Sequence, residues 1–332
     1  MRIWTSAIVI LASAPAFAAA PDLKAIVDTH VLPGYRTLAE EADGLASAAS
    51  SDCRPDNPAL RAAYHQAFDA WIGVSHLRFG PSERGNRAFA LAFWPDPRGS
   101  TPKTLAALVR DEDPIIASPE SFATVSVAAR GFHALEFLLF EARYVRMEGQ
   151  TADYRCALIR AVSRDISINA AAILDEWENG YADLIGNPGN DSYRSSREAA
   201  RQFFTALSTG LEFTSGTRLG RPMGTFDRPR PKRAEARRSG RSLRHVILSL
   251  EATQDLAMLL SGEDAGLKSA FETAISRATE LDDPVFAGVS DPQGRLRVEV
   301  LQQGVDDIRR LLAEGLGPSL GIAAGFNALD GD

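Results

Sequence analysis

Apolar side chains recur every three or four residues along nearly the whole chain, whereas two-residue alternation bounded by turn signals is scarce. A chain patterned this way buries its apolar stripes only by packing helix on helix, so the fold class expected is all-α. Leu23 to Ser50 carries the pattern with an interruption at Pro33, and Asn57-Pro58 supplies a cap and first turn for a helix through Trp71 to Phe79. Ser118-Pro119 is expected to open a helix that includes His133 and Glu136, and a long helix from Thr151 is expected to stop at Asn179-Gly180. Further helical patterns cover about Ser192 to Phe213, Ser242 to Leu260, Ala265 to Leu281 and Leu296 to Leu316. So many helices exceed a single four-helix core. The expectation is two helical bundles packed side by side, residues 21–185 and 192–332, joined where Gly, Pro, Asn and Ser interrupt the pattern between Gly186 and Ser195.

The chain has 332 residues, 45% of them hydrophobic and 24% charged, which excludes the disordered and collagen-like classes. A net charge of −7 gives no overall basic field for a phosphate backbone and argues against nucleic acid as the partner. At the N-terminus, Arg2 precedes an apolar stretch from Ile3 to about Ala12 and an A-x-A site at Ala16-Phe17-Ala18, the layout of a cleavable signal peptide over residues 1–18. A membrane anchor is the competing reading, but the run is shorter than the roughly 20 residues a spanning helix needs. No later segment has that apolar length, so a transmembrane protein is not expected. In an exported chain the two cysteines, Cys53 and Cys156, form a candidate disulfide, with two buried free thiols as the alternative.

Two irregular stretches are long for a helical protein. In Gly80 to Pro102, Trp94 and Asp96 either help to build a site or anchor a surface loop, and Arg78, just before the stretch, and Arg98, within it, are candidate binding residues. Phe226 to His245 is strongly basic within an acidic chain; it either binds an anion or is a linker paired with acidic neighbouring helices.

The stretch GFHALEFLLF, Gly131 to Phe140, sets one histidine and one glutamate into an otherwise apolar run. His133 and Glu136, at i and i+3, share a helix face with Cβ atoms about 5 to 6 Å apart, close enough to meet on one ion or one water. Gly131 lets a neighbouring helix or a ligand approach. A carboxylate buried there needs a partner, whether the histidine, a cation or groups from elsewhere in the fold. By themselves two such residues are more often a structural hydrogen-bonded pair than a metal site, because two ligands do not complete a coordination shell. No H-E-x-x-H helix, Glu-x-x-His pair, G-x-S-x-G elbow or P-loop occurs anywhere in the chain.

Gly131-Phe132-His133-Ala134-Leu135-Glu136 resembles the G-x-H-x-x-E motif of the imelysin-like family, exported bacterial proteins that include peptidase-like members and components of iron uptake. Trp71 with HLRFGP at His76 to Pro81, Trp94-Pro95 followed by an acid, RLGRPMG at Arg218 to Gly224 and the closing GFNALDGD are similar to the family in the same order. The resemblance implies two helical bundles with the His133/Glu136 helix near their interface, a periplasmic location and a link to metal, particularly iron. It also implies membrane-bound iron-uptake components as partners. Two departures stand out: Ser75 occupies a position that is acidic in many relatives, and the acid after Trp94-Pro95 comes one residue early, at Asp96.

Three functions follow. The favoured one is a binding protein that holds a divalent cation, iron or zinc, on His133 and Glu136 with Asp96 or His76 as further ligands, near Gly131, Arg78, Trp94 and Arg98. The second is a metallopeptidase in which a metal activates water and Glu136 or another acid serves as base. The third is a structural or partner-binding module in which His133 and Glu136 only lock the bundles together.

Overall fold

The structure, a computed structural model, describes residues 21–322; the expected signal peptide and the closing GFNALDGD stretch lie outside them. The main helices are α1 (Leu32–Ser51), α2 (Pro58–Val74), α3 (Ser100–Asp111), α4 (Gly131–Phe140), α5 (Gly149–Glu176), α6 (Ser196–Glu212), α7 (Ser242–Ser261), α8 (Ala265–Leu281) and α9 (Pro292–Leu311). The fold is all-α: among the described residues the extended pairing is limited to an isolated bridge between Thr225 and Arg228.

Local chemistry sets most helix ends. Asn57 accepts the Ala59 N–H at 2.9 Å, and Pro58 sits in the first turn of α2, where a missing N–H costs nothing. Pro33 likewise lies at the start of α1, after a wide turn at Val27–Val31, so it opens that helix. Two expected boundaries differ. Ser118 caps only the short piece Pro119–Phe122, and His133 and Glu136 lie on a separate helix that begins at Gly131. Asn179-Gly180 bends the long helix instead of ending it: Gly180, at φ +150°, lies in a wide turn that leads into Ala182–Gly186. That last piece packs against Leu23–Ile26 and buries Ile185, so tertiary contact carries the helix past its local stop signal.

Helices α1, α2, α4 and α5 pack on one another on one side of the molecule, and α6, α7, α8 and α9 do so on the other, with α2 meeting α7 across the middle. A disulfide joins Cys53, just beyond α1, to Cys156 on α5. Between Met223 and Ser242 the basic segment runs as an irregular strap from the second group onto the first. Arg238 donates to Glu141 at 2.6 Å, and Arg241 and Arg244 both pair with Asp69. Its contacts are those of a linker paired with acidic neighbours, one of the two readings of its sequence.

Candidate functional site

Helix α4 is buried along nearly its whole length, and its first residue explains the motif's glycine. Gly131 holds φ at +71°, and a Cβ there would collide with the backbone carbonyls of Ala90 and Leu91. The close approach in this structure is therefore by a backbone segment. It fixes the entry of α4 and with it the aim of His133.

The strap then delivers the partners. Glu235, only 4% exposed, accepts from Arg218 Nε at 2.7 Å and lies 3.2 Å from His245 Nδ1, both through Oε2. Its other oxygen, Oε1, faces His133 Nε2 at 3.8 Å, and that nitrogen is buried with no hydrogen-bond partner. Trp94 stacks on the His133 ring at 6.2 Å, while Phe68 meets the rings of His133 and His245 edge-on. Glu136 turns to a different part of the strap: its Oε1 accepts from both the N–H and the hydroxyl of Ser239, each at 2.9 Å. Glu136 thus holds the strap by hydrogen bonds, whereas His133 faces it at a separate point without one.

Protonation follows from burial and charge. Burial drives His133 down to about 4, so its ring is neutral near pH 7. Burial also opposes the Glu235 charge, but Arg218 and then His245 outweigh it and hold the carboxyl well below the usual range. Because an ionised Glu235 accepts only, its contact with His245 places a proton on Nδ1. Glu136 is shifted upward by burial, with the Ser239 N–H pulling the other way.

Beside this cluster lies a cavity of about 590 Å³ whose walls come from both helix groups. Trp71, Ser75, His76 and Trp94 line one side, and Thr209, Phe213, Arg218 and Thr253 the other, with Glu235 also exposed to it. Arg78 reaches the same cavity. Arg98 is exposed and is not part of the lining. Asp96 caps α3, with its two oxygens taking the Ser100 and Thr101 N–H groups at 2.9 and 2.8 Å. His76 is buried with its Nε2 3.0 Å from His30 Nε2.

Among the described residues no three His, Cys, Asp or Glu side chains converge as a metal cage. What the site offers a cation is narrower: a neutral imidazole nitrogen without a partner and an ionised carboxylate oxygen, at a separation that two ligands of one ion can span at about 2.0 to 2.2 Å each. Arg218 cancels part of that carboxylate's charge. The pair therefore suits a metal whose remaining ligands come from water or an added molecule. Glu235, Arg218, His245 and Ser239 lie outside the ligand set read from the sequence. Glu235 had a signal, as the one acid between Arg228 and Arg244.

The comparisons agree with this architecture. A solved structure described as an imelysin-like protein from Psychrobacter arcticum superposes with a TM-score of 0.76 at 20% identity, covering 92% of this chain and 96% of that one. Another, described as an iron-regulated protein A precursor from Parabacteroides distasonis, gives 0.73 at 12% identity with the same coverage. No curated protein matches the chain. The family model for imelysin, peptidase family M75, matches residues 31–312, and the chain belongs to the imelysin family.

Proposed function

We propose that this chain is an exported, periplasmic binding protein of the imelysin family that serves iron uptake by holding a divalent cation against His133 Nε2 and Glu235 Oε1. The observation that carries the reading is the unpartnered, neutral His133 nitrogen facing an ionised carboxylate oxygen at 3.8 Å beside a ligand-sized cavity. Mixed nitrogen and oxygen donors suit iron or zinc. The iron context is supported by the iron-regulated relative, and the signal pattern supports export to where membrane-bound uptake components would receive the cargo. Glu136 takes the locking part: with Ser239 donating to it twice, it is poorly placed as a general base, which favours binding over peptide cleavage.

Titration calorimetry with zinc, and with ferrous iron under argon, tests the proposal. The wild type is expected to bind one equivalent, and His133→Ala or Glu235→Gln to weaken binding at least tenfold while the helical circular dichroism signal stays. A wild type that binds neither metal overturns the reading. Peptide cleavage stopped by a chelator and restored by one metal would move the assignment to a peptidase.

A further inference from the structure

The cavity is larger than a cation needs. An ion with six waters fills about 180 Å³ at roughly 30 Å³ per water, against the cavity's volume of about 590 Å³. The surplus lies beside a side chain that is short of partners. Arg218 is 4% exposed, and of its five N–H donors only Nε makes a short bond, to Glu235 at 2.7 Å. Nη1 reaches Thr214 Oγ1 at 3.4 Å and Nη2 reaches Ser75 Oγ at 3.5 Å, both beyond the usual range for such bonds. Those hydroxyls donate elsewhere, Thr214 to the Gly210 carbonyl and Ser75 to the Ile72 carbonyl, so each offers the guanidinium only a lone pair. Phe213 packs under the guanidinium at 4.9 Å and fixes its plane. The Nη1/Nη2 fork is therefore buried, oriented and nearly unoccupied at the cavity wall.

Resting on the reading that this cavity is the ligand site, we infer that it takes a small organic carboxylate, whose carboxylate sits on the Nη1/Nη2 fork of Arg218 and whose carbon skeleton lies among Trp71, Trp94 and Phe213. The cation then enters as a carboxylate complex. A planar two-oxygen anion matches the fork in a bidentate way. The group seated on the fork lies close to ionised Glu235, and there a carboxylate places one charge where a phosphate places up to two; any further carboxylates of the molecule are offset by the metal they bind. The complex also completes a site in which the protein supplies two ligands: carboxylate and hydroxyl oxygens of the bound molecule fill the other positions, and the metal's charge offsets that of Glu235.

Calorimetry on the disulfide-bonded protein with zinc alone, citrate alone, zinc with citrate, and zinc with inorganic phosphate tests this. A chelator that stays in solution lowers the apparent zinc affinity. Here citrate is expected to raise it at least tenfold, and phosphate is not. Ser75→Asp sets a carboxylate on the fork without removing the Arg218 partner, so the citrate gain should vanish while zinc alone still binds and the melting temperature holds or rises. Citrate that weakens zinc binding to the wild type, or a gain that survives Ser75→Asp, overturns the inference and leaves the cation site standing. An equal gain from phosphate overturns the carboxylate assignment. Citrate binding abolished by Ser75→Asp, with zinc never bound, keeps the carboxylate site and removes the metal reading.

Discussion

Glu235 is the residue on which the centre of the molecule turns, because it is the buried counter-charge for buried Arg218 and the oxygen that faces His133. Removing it strands a guanidinium with 4% exposure, so Glu235→Ala should lower stability by about 3 to 5 kcal/mol, and Arg218→Met by a similar amount. The double variant should lose much less than the sum in urea melts, since neither charge is then left alone. Purely additive losses would show that the pair does not act as a unit. The histidines set the pH dependence. Burial lowers His133 and His30 to about 4 from an ordinary value near 6.5. Between those values the unfolded chain binds protons that the folded one refuses, so stability is full above about pH 6.5 and falls as the pH drops toward 4. Each shift corresponds to about 3 kcal/mol over that window. Glu136, shifted upward, works in the opposite sense. Melts from pH 7 to 4.5 should show the fall, and His133→Asn should flatten it; an unchanged slope would exclude His133 as a cause. At this scale the sequence exposed His133 and Glu136 because an apolar helix made them conspicuous. It hid Glu235, which lies about a hundred positions away among arginines, where only the folded strap brings it to His133.

Most helix starts are decided by neighbours in sequence, as with Asn57 and Pro58, and such signals are readable directly. The wide turns at Trp177–Tyr181 and Phe213–Leu219 are not, because the apolar spacing runs on through them and packing on other helices decides whether the chain continues. The strap is harder still, being irregular and held by partners on α2, α4 and the turn after it. Arg238 lies over the Phe137 ring at 3.6 Å as well as pairing with Glu141, and Arg241 and Arg244 share Asp69. These ion pairs are partly exposed, so each is worth at most about 1 kcal/mol. Their combined job is to hold a segment rich in arginine against the first helix group. Asp69→Ala together with Glu141→Ala should therefore leave the global melt within about 2 kcal/mol of wild type yet speed tryptic cleavage within residues 224–241 severalfold. Cleavage at the wild-type rate would mean that Glu136, Ser239 and Glu235 hold the strap without help from the surface pairs.

At the scale of the molecule, one continuous apolar core runs through both helix groups, which is why helical periodicity alone was enough to indicate the fold class. The cavity is a consequence of joining the groups: α2 supplies one wall and α6 and α7 the other, so no single helix pattern announces it. The disulfide acts at the same scale. Cys53 and Cys156 are 103 positions apart, and the loop they close contains α2, α3 and α4, including His133. In the chain-entropy view a closed loop of that length restricts the unfolded state by roughly 4 to 5 kcal/mol. Neither cysteine lines the cavity, so the bond's contribution should be to stability and not to ligand contacts. Cys53→Ser with Cys156→Ser should lower the urea midpoint, as should reduction of the wild type, and the two treatments should agree. The slope of unfolding free energy against urea should rise, because the unbridged chain exposes more surface. Zinc binding well below the midpoint should be unchanged, and thiol titration of denatured, unreduced wild type should find no free thiol. Two reactive thiols would refute the bond, and an unshifted midpoint after reduction would show that residual structure in the unfolded chain already supplies the constraint.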